Sequence, residues 1–323
     1  MKIPLISSVL SFADTSGSWK ARWGIGRMSH IVPPGLYALG GPNDKSPVIV
    51  TANYKMTYDL VRSALAGQSI WLLVLETYGI NVWCAAGKGT FGTGELVRRV
   101  KAVSLAEIVS HRQLILPLLG AAGVKGVEVA KRCGFIVVFA TIRAADLPDF
   151  LEKGALPLNS RELTFTVAER LVLTPIELIT ALRRSWILLI LLFMAGGFFS
   201  GDFYLPRALL ALSGYLAAVL SGAVVAPLLL PWLPSAWFAV KGAATGLLAG
   251  LLFCRLAGVA SLAFGAATIL MIAAVSSFLM LNFTGSTPYT SRSGVKKEMK
   301  WALPLQALAL LTGAVLFVFE RFA

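Results

Sequence analysis

Five long apolar stretches follow Arg183 and Arg184, at roughly 186–204, 208–230, 236–254, 256–282 and 303–319, and they limit what this chain can fold into. A helix needs about 20 predominantly apolar residues to cross the hydrocarbon core of a bilayer. The second and fourth stretches meet that length easily, while the first and last are tight. The third carries Lys241 near one end, where its stem can snorkel to the interface. The last 138 residues hold only 8 basic and 3 acidic side chains, against 21 and 13 in the first 185. Residues 186–323 therefore read as an all-α transmembrane domain of about five helices, and the front half as a somewhat basic globular region. Charged residues make up 14% of the chain and hydrophobic ones 57%, against roughly a quarter charged in soluble domains. Two ordinary soluble domains, disorder and a collagenous fibre are excluded.

Loop charges suggest an orientation. Arg183 and Arg184 precede the first span, and Arg292, Lys296, Lys297 and Lys300 precede the last. With five spans the positive-inside rule puts the front domain in the cytoplasm, at the inner membrane, and Ala323 outside. Arg255 is then a single residue against the trend. Gly242, Ala243, Gly246, Gly250, Gly258 and Gly265 supply the small surfaces that close helix contacts need. No ionisable group sits centrally in a span as a transport pathway would require, so anchoring is the simpler role for this half. The net charge of +13 is spread out and flanks the spans, which fits a lipid membrane and no nucleic acid. The N-terminal run is a poor signal peptide, broken by Ser7 and Ser8 and ended by Asp14. Cys84, Cys133 and Cys254 form no C-x-x-C, so neither a disulfide framework nor a cysteine-ligated cluster is encoded in these residues.

In the front half, residues 1–45 form an N-terminal extension with no clear period. From Ser46 the pattern alternates. Strands are expected at Pro47–Asn53, Ser69–Glu76, Leu114–Leu118 and Phe135–Ile142, with helices at Tyr58–Leu65 (Thr57 as N-cap), Glu95–Val103, Val124–Arg132 and Asp146–Lys153. This alternation predicts an α/β, Rossmann-like layer fold over 46–155, with a largely parallel sheet and ligands beyond the carboxyl ends of its strands. Residues 156–185 read as a linker with an amphipathic helix.

The most unusual stretch is Asn81–Gly94. Gly87–Gly92 is formally G-x-G-x-x-G, but the acidic residue at the right distance, Glu107, precedes a strand instead of ending one. Walker A fails because Gly89 stands where Ser or Thr should follow Lys88. Two readings remain for Cys84. It is either a small buried hydrophobe beside a core Trp83, or a ligand. Ala85, Ala86 and Gly87 leave its sulfur room to meet a flat cofactor, and Lys88 would favour the thiolate. Spacing does not decide between them.

The run from Pro47 to Val103, with VTANYKMTYDLV and then GINVWCAAGKGTFGTGELV, resembles the corrinoid-binding domain of the corrinoid iron–sulfur proteins of the acetyl-CoA pathway. Asn81–Lys88, NVWCAAGK, is similar to the signature of the mercury-methylating corrinoid proteins, the HgcA family, in which such a domain is joined to five membrane spans. The resemblance implies a base-off corrinoid (a cobalamin) whose cobalt takes Cys84 as its lower axial and catalytic ligand. Asn81, Val82, Trp83, Ala85, Ala86, Gly87 and Lys88 would complete the cap helix. Thr51 and Thr57 fall in the loop after the first strand, and Ala144 at the end of the last, where such domains meet the corrinoid.

The activity implied is methyl transfer from methylcorrinoid to inorganic Hg(II), giving methylmercury. The implied partners are a methyltetrahydrofolate-type donor or its methyltransferase, and a ferredoxin-like iron–sulfur reductant of the HgcB kind. The rival is a membrane-anchored corrinoid methyl carrier of the acetyl-CoA pathway type with no mercury role. The D-x-H-x-x-G motif is absent, and neither His30 nor His111 fits it. Cys133, between a helix and a strand, is expected to be structural, and Cys254 lies at a membrane helix end.

Overall fold

Strands β3 (Val48–Ala52) and β4 (Ile70–Leu75) are buried along their whole length, the behaviour expected of strands covered on both faces by helices. Their parallel pairing is the centre of a six-stranded sheet of order β1-β2-β4-β3-β5-β6, with β1 at Leu5–Ile6, β2 at Gly35–Leu39, β5 at Gln113–Leu116 and β6 at Ile136–Phe139. Strands β4, β3, β5 and β6 run parallel, whereas β2 pairs antiparallel with β4. The computed structural model describes residues 3–154, 162–198 and 201–322. It divides into two compact units, Met1–Thr164 and Phe165–Ala323. The first is an α/β layer fold and the second is helical.

In the α/β unit, helices α2 (Lys55–Ala64), α4 (Thr93–Ala102) and α6 (Gly126–Cys133) follow strands as the alternation predicts. Two apolar cores cover the two faces of the sheet. Cys133 packs half-buried against one of them, with its thiol on the Val129 carbonyl. Three expectations change. Residues 1–45 contribute β1 and β2 to the sheet, because β4 has an open edge that only a non-local partner can fill. Helix α2 starts at Lys55 with Tyr54 as N-cap, so Thr57 lies inside its first turn and caps nothing. The early start is tertiary: Val32 N donates to Asn53 O and Lys55 N to His30 O, pinning the turn after β3. Strand β6 covers only 136–139, since its one neighbour, β5, stops at Leu116 ahead of Pro117. Helix α7 (Leu147–Lys153) closes the unit.

Helix α1 (Phe12–Arg22) is tied to this body by charge. Asp14 bonds Lys55 at 2.5 Å and Arg62 at 2.8 Å, and Asp59 bonds the same two cations at 2.8 Å each. Hydrogen bonding to Lys55, above all, holds the Asp14 carboxyl well below the usual carboxylate range.

The helical unit holds α8 (Val167–Arg184), α9 (Trp186–Gly197), α10 (Leu205–Leu220), which runs through a π-turn at Ser221–Val225 into α11 (Ala226–Leu228), then α12 (Phe238–Leu256), α13 (Leu262–Asn282) and α14 (Arg292–Phe322). Four helical stretches among the described residues are long and apolar enough to cross a membrane: Leu205–Leu228, Phe238–Leu256, Leu262–Ser286 and Ser293–Glu320. The expected first span differs. Helix α9 has 12 residues, about 18 Å of rise, and meets α8 at a 61° bend; the two together would make a fifth, broken span. Residues 199–200 of that expected span, residues 155–161 around the expected linker, and Ala323 lie outside the described residues.

Gly242, Gly246 and Gly250 share one face of α12 and meet α13 backbone to backbone. A Cβ on Gly246 would stand 2.7 Å from the Ala273 Cα. Ser276 and Ser277 donate to the Gly242 and Ala239 carbonyls across the seam, and the Glu298 carboxylate of α14 accepts from Ala239 N at the start of α12. Lys241 reaches back to the Leu230 carbonyl at 2.6 Å.

Two outcomes test this packing. Gly246→Val should lower stability in detergent by about 1–3 kcal/mol through overpacking, read as a fall in the thermal midpoint. Asp14→Asn should cost about 1–3 kcal/mol at neutral pH. Because the folded carboxyl titrates below its unfolded value near 4, that difference is full above the unfolded pKa and shrinks as pH falls from about 4. Denaturant melts of both proteins across pH 3–7 would show it.

Candidate functional site

From β3 the chain crosses to β4 on one side, and from β4 it crosses back past β3 to β5 on the other, so the connections part at the carboxyl end of β3. Open parallel sheets bind ligands at such a switch point. A cleft of about 250 Å³ lies there, bounded by β3, β5, α2, the segment after β6 and the start of α3 (Val82–Lys88). Its walls are mostly apolar, with Thr51, Thr57, Asn81 and Thr141 as the hydroxyl- and amide-bearing groups.

Six of the residues expected at the site line this cleft: Thr51, Thr57, Asn81, Val82, Trp83 and Ala144. Thr51, Thr57 and Ala144 do so from positions other than those expected. Thr51 is within β3 and almost fully buried, and its hydroxyl has no hydrogen-bond partner among the described residues. Thr57 projects from α2, and Ala144 opens a 3-10 turn five residues beyond β6. A buried hydroxyl without a partner costs free energy, so Thr51 at the cleft wall suits a ligand able to satisfy it.

The other five, Cys84, Ala85, Ala86, Gly87 and Lys88, complete α3 outside the cleft wall. Asn81 is the N-cap of this helix, its side-chain carbonyl accepting from Cys84 N at 2.9 Å. Val82, Ala85 and Ala86 are buried in the core beneath, whereas Cys84, Gly87 and Lys88 are exposed. Cys84 is thus an exposed thiol and not a buried hydrophobe. The small side chains of Ala85 and Ala86 are required by packing. The loop before α6 comes so close that a Cβ on Gly123 would stand 3.0 Å from the Ala86 Cα and 2.1 Å from the Phe91 carbonyl. The G-x-G-x-x-G glycines serve helix ends: Gly89, at φ 84°, closes α3, and Gly92 is the N-cap of α4. They do not form a phosphate turn between a strand and a helix.

A second layer was not foreseen as part of the site. Asn53, fully buried just past β3, accepts from Thr77 N, the Thr77 hydroxyl and Gly79 N through its Oδ1, and donates from Nδ2 to Glu76 at 2.6 Å. Glu76 also accepts from Tyr78 N, whose φ is 56°. Glu95, at the start of α4, accepts from Glu76 N and pairs with Arg98 and Arg99. This network sets the loop that delivers α3. Its only sequence signal is a polar residue at the end of a buried strand.

The α/β unit is similar to subunits of CO dehydrogenase/acetyl-CoA synthase. Residues 27–142 match the family model described as the CO dehydrogenase/acetyl-CoA synthase delta subunit. The chain is 41% identical over 128 residues to the acetyl-CoA decarbonylase/synthase complex subunit gamma of Methanopyrus kandleri, covering 39% of this chain and 27% of that one. The subunit gamma of Methanocaldococcus jannaschii is 33% identical over 130 residues, 40% of this chain and 26% of that one. That of Archaeoglobus fulgidus is 33% identical over 125 residues, 38% and 26%. The chain thus spans about a quarter of the length of these curated relatives. The matched residues 27–142 contain both the VTANYKMTYDLV and the NVWCAAGK runs.

Asn53→Leu should free the loop before α3. Leaving the Thr77 and Gly79 amides without their acceptor costs on the order of 2–5 kcal/mol. The expected signature is faster amide exchange at Thr77, Gly79 and the first turn of α3, with β3 and β4 still protected. Uniform exchange across the unit would show that Asn53 stabilises the sheet and not the loop.

Proposed function

We propose that this chain is a membrane-anchored, corrinoid-dependent methyl-transfer protein, with Cys84 as the lower axial ligand to the cobalt of a base-off corrinoid. The observation that carries the reading is placement. An exposed thiol stands in the first turn of a helix that walls a cleft at the switch point, and an unpartnered buried hydroxyl lies on that same cleft. A cleft of about 250 Å³ suits a heterocyclic tail and its sugar and is too small for a whole macrocycle. The residues present therefore fit the group. Thr51, Thr57, Trp83 and Ala144 would hold the tail, and Cys84 would face the ring.

When bound, the corrinoid would supply a cobalt-held methyl group, and the protein's lever on it is the axial ligand. The chain's own residues provide rigidity. Asn81 holds the Cys84 amide, and Ala85 and Ala86 key α3 into the core, so the thiol sits on a preorganised element. Trp83, part-exposed at the cleft, screens one side from water.

Two readings differ in the methyl acceptor. Similarity to acetyl-CoA decarbonylase/synthase gamma subunits favours a carrier that hands the group to a partner protein. The mercury reading rests on the thiol itself within Asn81–Lys88. A carrier does not need sulfur beneath cobalt, whereas a thiolate donor would favour departure of the methyl as a carbanion-like group to a soft cation such as Hg(II). Either reading places the α/β unit in the cytoplasm, with the apolar helices in the inner membrane. The partners proposed are a methyltetrahydrofolate-type donor or its methyltransferase and a ferredoxin-like iron–sulfur reductant of the HgcB kind.

The test uses the full chain loaded with methylcobalamin, with and without Hg(II). Wild-type protein should yield methylmercury, and Cys84→Ala should yield at least about 100-fold less while retaining the cofactor. Equal yields would sink the ligand assignment. No methylmercury from a wild-type chain that still methylates an acetyl-CoA synthase acceptor would establish the carrier reading.

A further inference from the structure

Helix α1 presents two opposed faces. At 100° per residue, Asp14 and Ala21 fall on one side; Ala21 is completely buried and Asp14 carries the ion pairs to Lys55 and Arg62. On the other side Phe12, Trp19 and the C-cap Trp23 lie within about 40° of one another. They are 88%, 66% and 46% exposed. Lys20 and Arg22 flank this stripe at about 80° to either side, and neither makes an ion pair among the described residues. Val9, Leu10, Ile25 and Met28, just before and after the helix, are exposed as well. A helix locked by its polar face, with its aromatic face turned outward, is the reverse of ordinary amphipathic packing. The ion pairs to Asp14 are what enforce it.

We propose that this stripe docks the α/β unit on an anionic phospholipid surface, with the indoles of Trp19 and Trp23 at headgroup level and Lys20 and Arg22 on the phosphates. Three observations select lipid as the occupant. Tryptophan flanked by basic side chains is the composition of interfacial helices. The one carboxylate of the helix, Asp14, is consumed on the inner face, so the outer face is wholly cationic in its charge and complements an anionic leaflet. The helix also precedes the family-matched segment 27–142, just as the apolar helices follow it. The proposal rests on the membrane reading of those helices, since they would keep a bilayer within reach of α1.

The experiment uses the full chain in nanodiscs of phosphatidylcholine with or without phosphatidylglycerol, carrying a photoreactive benzoylphenylalanine in place of Phe12. Irradiation should give phospholipid adducts, with at least about tenfold fewer when the probe replaces Val127, also exposed, on α6. Lys20→Glu with Arg22→Glu should lower the Phe12 adducts about tenfold, and Arg22→Lys should preserve them. A chain that assembles in nanodiscs but gives Phe12 adducts only with protein, or no more than Val127 gives, overturns the docking proposal alone. A chain that does not enter bilayers overturns the membrane reading and the docking together.

Discussion

The Asn53 carboxamide, sealed off from water at the carboxyl end of β3, is the contact on which the candidate site depends. It satisfies two backbone amides and a hydroxyl of the loop after β4 and spends its own N–H on Glu76. A buried amide with every partner in place is rigid, because each lost bond would leave an orphan in a low-dielectric core. From that anchor the chain passes through Tyr78 and Gly79, both at positive φ, and enters α3 at Asn81. The position of Cys84 is therefore set two steps away, by a residue on a different strand.

The same logic explains why α3 is built from such small residues. Helix, loop and α6 entry approach too closely for side chains at Gly123 and tolerate only methyl groups at 85 and 86. Close approach buries the inner face of α3 and leaves the outer face, with Cys84 and Lys88, in the open. Function and packing ask for small residues here for different reasons, and Ala85 and Ala86 answer both. The helical unit solves a related problem with glycine. Between apolar helices in lipid there is little hydrophobic drive to associate, so close backbone contact and serine hydrogen bonds hold α12 on α13.

The elements legible in the sequence were those whose pattern is local. Continuous apolar runs marked β3 and β4, apolar length marked α10 to α14, and the NVWCAAGK run marked the site. What escaped notice depended on distant partners. The strand β2 reads as nothing particular, because its place is decided by the free edge of β4. Thr57 looked like a helix cap because the residues that pull the helix start back to Lys55 lie near position 31. Asn53 was visible as a polar residue at a strand end, but its four partners, 23 to 26 residues away, were not. Helix α9 reads as a span by composition, yet it has 12 residues and begins at a bend that no hydropathy count contains.

By itself the sequence determined the division into an α/β half and an apolar helical half, because charge and hydropathy are properties of each residue alone. It also singled out Asn81–Lys88 as the candidate segment, because that run is contiguous. Only the tertiary structure decided that Thr51 is a buried hydroxyl on a cleft wall, that Cys84 is exposed while its neighbours Ala85 and Ala86 are not, and that α1 turns its aromatic face outward. Those outcomes follow from which face of an element its partners cover. That is fixed by strand order and by long-range ion pairs and hydrogen bonds, none of which the local spacing of residues encodes.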